Sequence, residues 1–131
     1  MGSDKQIKNW LNLAEYDFDT AEAMLKSGRY LYVVFTCQQC IEKSLKAIYV
    51  SKKGLVSPYT HNLLKQVESC ELESLIDQIQ RNFIAELNSF YIEGRYSEQL
   101  EELKSSIKKE SAKEIFLQTK ELYKWMRNQL A

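Results

Sequence analysis

Side chains able to bind an anion recur with helical spacing between residues 39 and 46. The polar face consists of Gln39, Glu42, Lys43 and Lys46. The spacing of i, i+3, i+4 and i+7 places all four on one side of a helix. Ammonium groups bind phosphate, and the flanking rings of Phe35 and Tyr49 offer a surface on which a base can stack. Three interpretations remain open: a nucleotide site, a contact with a second copy, and a solvated face whose Glu42–Lys46 pair contributes about 0.3–0.5 kcal/mol.

Two further places carry residues suited to phosphate or base contact. Arg95 and Tyr96 follow an apolar stripe, and a guanidinium offers a planar fork of donors. A cation there would equally complement the C-terminus of a helix. His61, the only histidine, precedes a short apolar segment, so it either hydrogen-bonds backbone at a helix start or contacts a ligand. Because there is no Walker loop or dinucleotide fingerprint, side chains would hold any nucleotide, and weakly.

Cysteine, metal and triad chemistry is disfavoured. Cys37 and Cys40 form a Cys-x-x-Cys pair, but redox pairs normally lie at a helix N-terminus, whereas these fall inside an apolar stripe. Cys70 and one histidine make a poor remaining ligand set for zinc. We therefore predict buried structural cysteines, with no catalytic residues, no metal site and no cofactor.

The whole chain has the composition of one globular domain. It has 131 residues, of which 44% are hydrophobic and 27% charged, and its formal net charge is zero. A zero net charge disfavours a general nucleic-acid or membrane-surface binder. There is no membrane-length apolar run, and an odd number of cysteines without an export signal predicts a cytoplasmic protein. Residues 1–5 are interpreted as vector-derived or disordered.

The elements that must position these residues are helices. Apolar spacing of three and four predicts helices over residues 7–25, 29–53, 72 to about 94, and from a cap at Ser111 to the end, with a short helix over 61–70. The segment 29–53 is apolar nearly all round, which predicts the central element. Residues 95 to about 108 are interpreted as a solvated loop with possible helical turns. The sequence therefore predicts an all-α, antiparallel up-and-down bundle of four main helices plus a short fifth helix.

Four segments, in order, resemble the HEPN domain (higher eukaryotes and prokaryotes nucleotide-binding). They are residues 12–17 (NLAEYD), 35–47 (FTCQQCIEKSLKA), 60–63 (THNL) and 91–96 (YIEGRY). The chain is also similar to the helical domain of kanamycin nucleotidyltransferase. The resemblance implies a helical bundle, frequent dimerisation and pairing with a small nucleotidyltransferase.

The resemblance also implies a test for ribonuclease activity. Many members of the family are ribonuclease toxins that use an arginine followed four to six residues later by histidine. Arg95 and Arg81 lack that histidine, and Ser97 replaces the usual proline, which disfavours catalysis.

The leading hypothesis is a HEPN-like module, more a binding protein than an enzyme. It would bind ATP or GTP weakly between the polar face and the segment that holds Arg95 and Tyr96. Its protein partners would be a small nucleotidyltransferase and a second copy. One alternative is a metal-independent, dimeric endoribonuclease with Arg95 on the scissile phosphate, which makes RNA a less favoured partner. The other is a purely structural dimerisation bundle.

Overall fold

The computed structural model describes residues 2–54, 56–93 and 97–130, and these residues form helices without any strand. The helices are α1 (Gly2–Lys26), α2 (Tyr30–Lys53), α3 (Leu63–Ser69), α4 (Gln78–Glu93), α5 (Ser97–Ser106) and α6 (Lys109–Asn128). The prediction of an all-α bundle is confirmed, with α1, α2, α4 and α6 as its four long helices. None of the described helices has the length and hydropathy to cross a membrane.

The first two helices form an antiparallel hairpin around a glycine joint. Gly28 has a φ of +79°, a conformation that favours glycine, and it lies between the end of α1 and the start of α2. Asp17 contacts Lys43, while the earlier Trp10 contacts the later Lys46. The two helices therefore run in opposite directions, and α1 covers one side of the polar face.

The central position predicted for α2 is confirmed by its burial. Thirteen of its 24 residues are buried, including charged ones. The helix ends at Gly54, whose φ is +66° and whose N–H donates to the Val50 carbonyl at 2.8 Å. The apolar side of α2 shares one core with the other helices, because Ile41, Leu45 and Ile48 are completely buried.

The last helix packs its aromatic residues against α1. Phe18 stacks on Phe116 and on Tyr123, with ring centroids 5.1 and 5.2 Å apart. The predicted cap at Ser111 is wrong, because α6 begins earlier. Lys108 holds the cap position, and its backbone N–H donates to the Ser111 hydroxyl at 3.0 Å. Ser111 therefore takes part in capping α6 from a position within its first turn, and it is not the N-cap residue.

The long helix predicted from residue 72 begins only at Gln78. Glu71 adopts a φ of +59°, which ends the preceding helical segment. Asp77 then starts α4 through a reciprocal pair: its carboxylate accepts from the Gln80 N–H at 2.7 Å, and the Gln80 side chain accepts from the Asp77 N–H. Leu72 and Ile76 are still buried but Leu75 is exposed, so the apolar pattern was right about part of the burial and wrong about the helix.

The segment interpreted as a solvated loop with possible helical turns is mostly one regular helix where the structure describes it, so the loop part of that interpretation is wrong. Residues Ser97–Ser106 form α5. Leu103 and Ile107 are buried, and these two apolar contacts hold the segment against the bundle. Of the charged residues that suggested a loop, Glu101, Glu102 and Lys104 occupy exposed positions of α5, and Lys108 and Lys109 are exposed beyond its end.

Candidate functional site

The site is centred on a buried carboxylate, Glu42 of α2. Only 2% of its side chain is exposed. One carboxylate oxygen lies 3.4 Å from Lys46 Nζ, and the other lies 2.9 Å from His61 Nδ1. An ionised carboxylate removed from water is unfavourable unless it has such partners. The three side chains therefore form one polar network between α2 and the segment before α3.

Lys46 joins this network to α1. Its side chain is 9% exposed, and its Nζ lies 4.9 Å from the centre of the Trp10 ring. The face of an aromatic ring attracts a cation, and the attraction grows when both are shielded from water. Lys46 thus bridges a carboxylate on its own helix and a ring on the neighbouring helix. The interpretation of Glu42 and Lys46 as a solvated pair, one of the three that the sequence left open, is wrong because both side chains are buried.

His61 carries the network to the surface. Its side chain is 31% exposed, and its ring is packed edge-on against Tyr59, with centroids 5.3 Å apart. Because a carboxylate only accepts, Nδ1 donates to Glu42, which sets the orientation of the ring. The neighbouring Tyr59 is 89% exposed. The network therefore places an imidazole beside an exposed aromatic ring.

His61 does not start α3, as the sequence suggested. That position belongs to Asn62, whose side chain accepts from the backbone N–H groups of Leu64 and Lys65 at 3.1 and 3.2 Å. Asn88 of α4 donates to the same oxygen and accepts from the Leu63 N–H. The cap thus holds the segment before α3 in place, and with it His61.

A second polar group lies beside the network, on the side of α2 that faces α1. Lys43 Nζ is 2.7 Å from the Asp17 carboxylate and 3.3 Å from Gln39 Oε1. Gln39 also donates to the side-chain oxygen of Gln38 at 2.7 Å. Gln38 is buried, and its amide nitrogen has no hydrogen-bond partner among the residues that the structure describes. A buried donor without an acceptor is unfavourable, which makes this amide a candidate ligand contact.

The structure brings five of the seven predicted site residues to one region. Gln39, Glu42, Lys43 and Lys46 lie on consecutive turns of α2, and His61 joins them through Glu42. They do not form one solvated face: Glu42 and Lys46 are buried, whereas Gln39 and Lys43 are half-buried. Arg95 and Tyr96 lie outside the described residues.

The cysteines fit the structural interpretation. All three are buried and free, and burial raises the pKa of Cys37 to about 12 and that of Cys70 to about 11. A thiol with such a pKa is protonated at neutral pH, so it is a poor nucleophile and a poor metal ligand. Among the described residues, no group of three or more histidine, cysteine or acidic side chains is arranged to hold a metal ion.

Comparison with known proteins places this bundle in a family. A family model for the HEPN domain matches residues 7–129. The chain belongs to the HEPN domain family. A curated protein of Methanocaldococcus jannaschii, named "Putative toxin MJ1304", is 29% identical over 101 residues, which cover 72% of this HEPN chain and 65% of the relative. The HEPN chain therefore spans less than two thirds of that relative's length.

A solved structure has the same fold as this HEPN chain over nearly its full length. The crystal structure of TT1696 from Thermus thermophilus superposes with a TM-score of 0.81. The match covers 95% of this chain and 98% of that chain at 18% sequence identity. The similarity establishes the fold of the bundle.

Sequence reasoning missed the partners that complete the network of this HEPN domain. Neither Trp10 nor Tyr59 was predicted as a site residue, and Asp17 appeared only at the end of the family-like segment 12–17. Only packing brings Trp10 over Lys46, since the two residues lie on different helices and far apart in the chain. One signal was available for Gln38: it immediately precedes the polar face, in a helix apolar nearly all round.

Proposed function

We propose that this HEPN domain is a nucleotide- and protein-binding module whose nucleotide binds beside Glu42 and His61. The observation that carries the proposal is the buried Glu42–Lys46–His61 network. Burying charged groups is unfavourable, and a packed apolar replacement is often at least as stable. A buried charged network that stability does not require is therefore a candidate functional site. The network reaches the surface at His61, and the ligand is proposed to bind there.

The surroundings of His61 suit a nucleoside better than a bare phosphate. The exposed Tyr59 ring, packed edge-on against the imidazole, offers a surface on which a base can stack. The nearby cations already have carboxylate partners, because Lys43 pairs with Asp17 and Lys46 with Glu42. A phosphate would compete with those carboxylates. We therefore expect weak, millimolar binding of ATP or GTP, with Arg95 as the added phosphate contact.

Calorimetry and native mass spectrometry with ATP and GTP test the nucleotide proposal. We expect binding that His61→Asn, Lys43→Ala and Arg95→Ala each weaken. The matched control is Lys120→Ala, which removes an exposed lysine of α6. Absence of binding at millimolar nucleotide would refute the proposal, as would binding that none of the three variants alters while their thermal unfolding stays normal.

The protein partner proposed for this module is a small nucleotidyltransferase, as the family resemblance implies, acting with it in the cytoplasm. The test is co-expression with the nucleotidyltransferase encoded nearest to this gene, followed by size-exclusion chromatography of the purified mixture. A complex that survives purification supports the partnership. Separate elution of two folded proteins contradicts it, and so does the absence of any such gene from the neighbourhood.

A second candidate function is metal-independent ribonuclease activity, in the manner of a toxin. Two observations favour it: the name of the Methanocaldococcus relative, and an imidazole oriented by a buried carboxylate. Such a histidine can serve as a general acid or base although the expected histidine after Arg95 is missing. Incubation with RNA in EDTA tests this function. Cleavage that His61→Asn and Arg95→Ala both abolish would support it, and intact RNA would exclude it under those conditions.

A further inference from the structure

An apolar groove lies between α4 and α6, away from the polar network. It has a volume of about 470 Å³. Its floor and walls include Ile79 and Phe83 of α4, and Leu117, Leu122 and Trp125 of α6. Ile79 is 73% exposed and Leu117 is 50% exposed. Two large aliphatic side chains are therefore left in water on opposite sides of one groove, where contact with a partner would bury them.

Carboxylates accompany the groove. Glu121 lines it, and Glu86 of α4 faces Glu114 of α6 closely enough that burial and this like charge raise the pKa of Glu86. Among the described residues, none of the three carboxylates has a cation within ion-pair distance. A pair of like charges without a counter-charge is unfavourable, and a cation from a partner would relieve it.

The lysines of α6 border the groove on the outer side of Leu117. At 3.6 residues per turn, Lys113, Lys120 and Lys124 follow one strip, roughly a quarter turn from Glu114 and Glu121. Gln118 and Leu122 line the groove, and they lie on the other side of the acidic strip from these lysines. The helix therefore separates its charges: the acidic strip lies within the groove wall, and Leu117 separates it from the basic strip at the outer border.

We propose that the α4–α6 groove docks an amphipathic helix of another protein, whose apolar side is flanked by lysine or arginine. A groove between two helices accepts the side chains of a third helix as ridges. Leucine-like side chains would cover Ile79 and Leu117, and cations beside them would meet Glu86, Glu114 and Glu121. A second copy of this chain fits less well, because the outer face of α6 exposes acidic and basic strips on either side of a single leucine.

Two synthetic helical peptides test the proposal on the full chain. Both have about 18 residues with leucine at alternating spacings of three and four; one carries lysine at its flanking positions and the other glutamate. Binding is measured by fluorescence anisotropy of the labelled peptides at low ionic strength. We expect the lysine peptide to bind at least about tenfold more tightly than the glutamate peptide, a difference of about 1.4 kcal/mol.

Matched variants locate the binding. The pair Ile79→Ser and Leu117→Ser should abolish binding without affecting folding, because both side chains are already exposed. The pair Glu114→Gln and Glu121→Gln should weaken it several-fold. The control pair Asp19→Asn and Glu22→Gln removes the same charge from exposed positions of α1 and should change nothing.

Three results would overturn the proposal. The first is equal affinity for the two peptides, and the second is binding that the groove variants leave unchanged. The third is self-association, seen by sedimentation, that Ile79→Ser and Leu117→Ser abolish, since the occupant would then be a second copy. None of these measurements involves a nucleotide, so the proposal stands or fails separately from the proposed function.

Discussion

The Glu42–Lys46 pair allows a quantitative test of the buried network by a double-mutant cycle. Glu42→Gln removes the charge and leaves the volume nearly unchanged. Lys46, 9% exposed, would then lie beside Trp10 without a counter-ion. Removing one partner of a buried ion pair typically costs 3–5 kcal/mol, and because His61 and Trp10 still contact the remaining groups we expect about 3 kcal/mol.

The effect on thermal stability follows from chain length. Globular proteins unfold with an entropy near 2.1 cal/mol/K per residue, which is about 0.28 kcal/mol/K for this chain of 131 residues. A loss of about 3 kcal/mol therefore lowers the Tm by about 10 °C. Lys46→Met should cost less, about 1–2 kcal/mol, because Glu42 keeps its hydrogen bond to His61. The double variant should cost less than the sum, with a coupling energy of about 1–3 kcal/mol.

The assay is unfolding in urea, followed by circular dichroism, for the wild type, both single variants and the double variant. The exposed pair Lys53–Glu71 provides the matched control. Its N–O distance is 2.8 Å, shorter than the 3.4 Å of the buried pair, yet its side chains are 34% and 68% exposed. If burial rather than the N–O distance determines the strength of an ion pair, the exposed pair shows the smaller coupling energy. A larger coupling in Lys53–Glu71 would refute the reasoning, and so would additivity of the Glu42 and Lys46 variants.

The remaining predictions concern the cap, a like-charge pair and the thiols. Asn62→Ala should lower the free energy of unfolding by about 1 kcal/mol, because two backbone donors lose their acceptor; a loss below about 0.3 kcal/mol in urea would contradict this. Glu86→Gln should stabilise the fold at pH 7 by at most about 0.5 kcal/mol, because partial burial and Glu114 raise the folded pKa of Glu86 and its charged form is unfavourable. That gain should vanish below the unfolded value of 4.5, where both states are protonated, and a gain that persists at about pH 3 would exclude this cause. Finally, Cys37 and Cys70 should react with an aromatic disulfide reagent at about pH 8 only after denaturation, and rapid labelling of the folded protein would refute their burial.

Apolar periodicity was sufficient for the main helices and for the central position of α2. The stripes of α1, α2 and α6 repeat every three or four residues, and few glycines or prolines interrupt them. Gly28 and Gly54 both mark real helix ends with a positive φ. Local sequence determines such features because propensity, periodicity and the terminal glycine all favour the same structure.

Helix ends and the α5 segment were harder to predict because their causes are not local. The stripe from Leu72 onward predicted burial only in part, since Leu75 and Ile79 are exposed. A reciprocal hydrogen-bonded pair at Asp77 and Gln80 starts α4 later than the stripe begins. Charges on α5 suggested a loop, whereas Leu103 and Ile107 fix the segment by packing on distant residues. Periodicity reports which residues avoid water, and it does not report which backbone conformation buries them.

The sequence alone determined that a helix apolar nearly all round carries glutamine, glutamate and lysine at helical spacing. It could not determine whether those groups face water or the interior, because that depends on what packs over them. Only the tertiary structure decided that α1 covers Lys46 with Trp10 and that the cap at Asn62 holds His61 against Glu42. The physical reason is that the strength of a charge pair depends on whether water or protein surrounds it. What surrounds a given residue is determined by the whole fold.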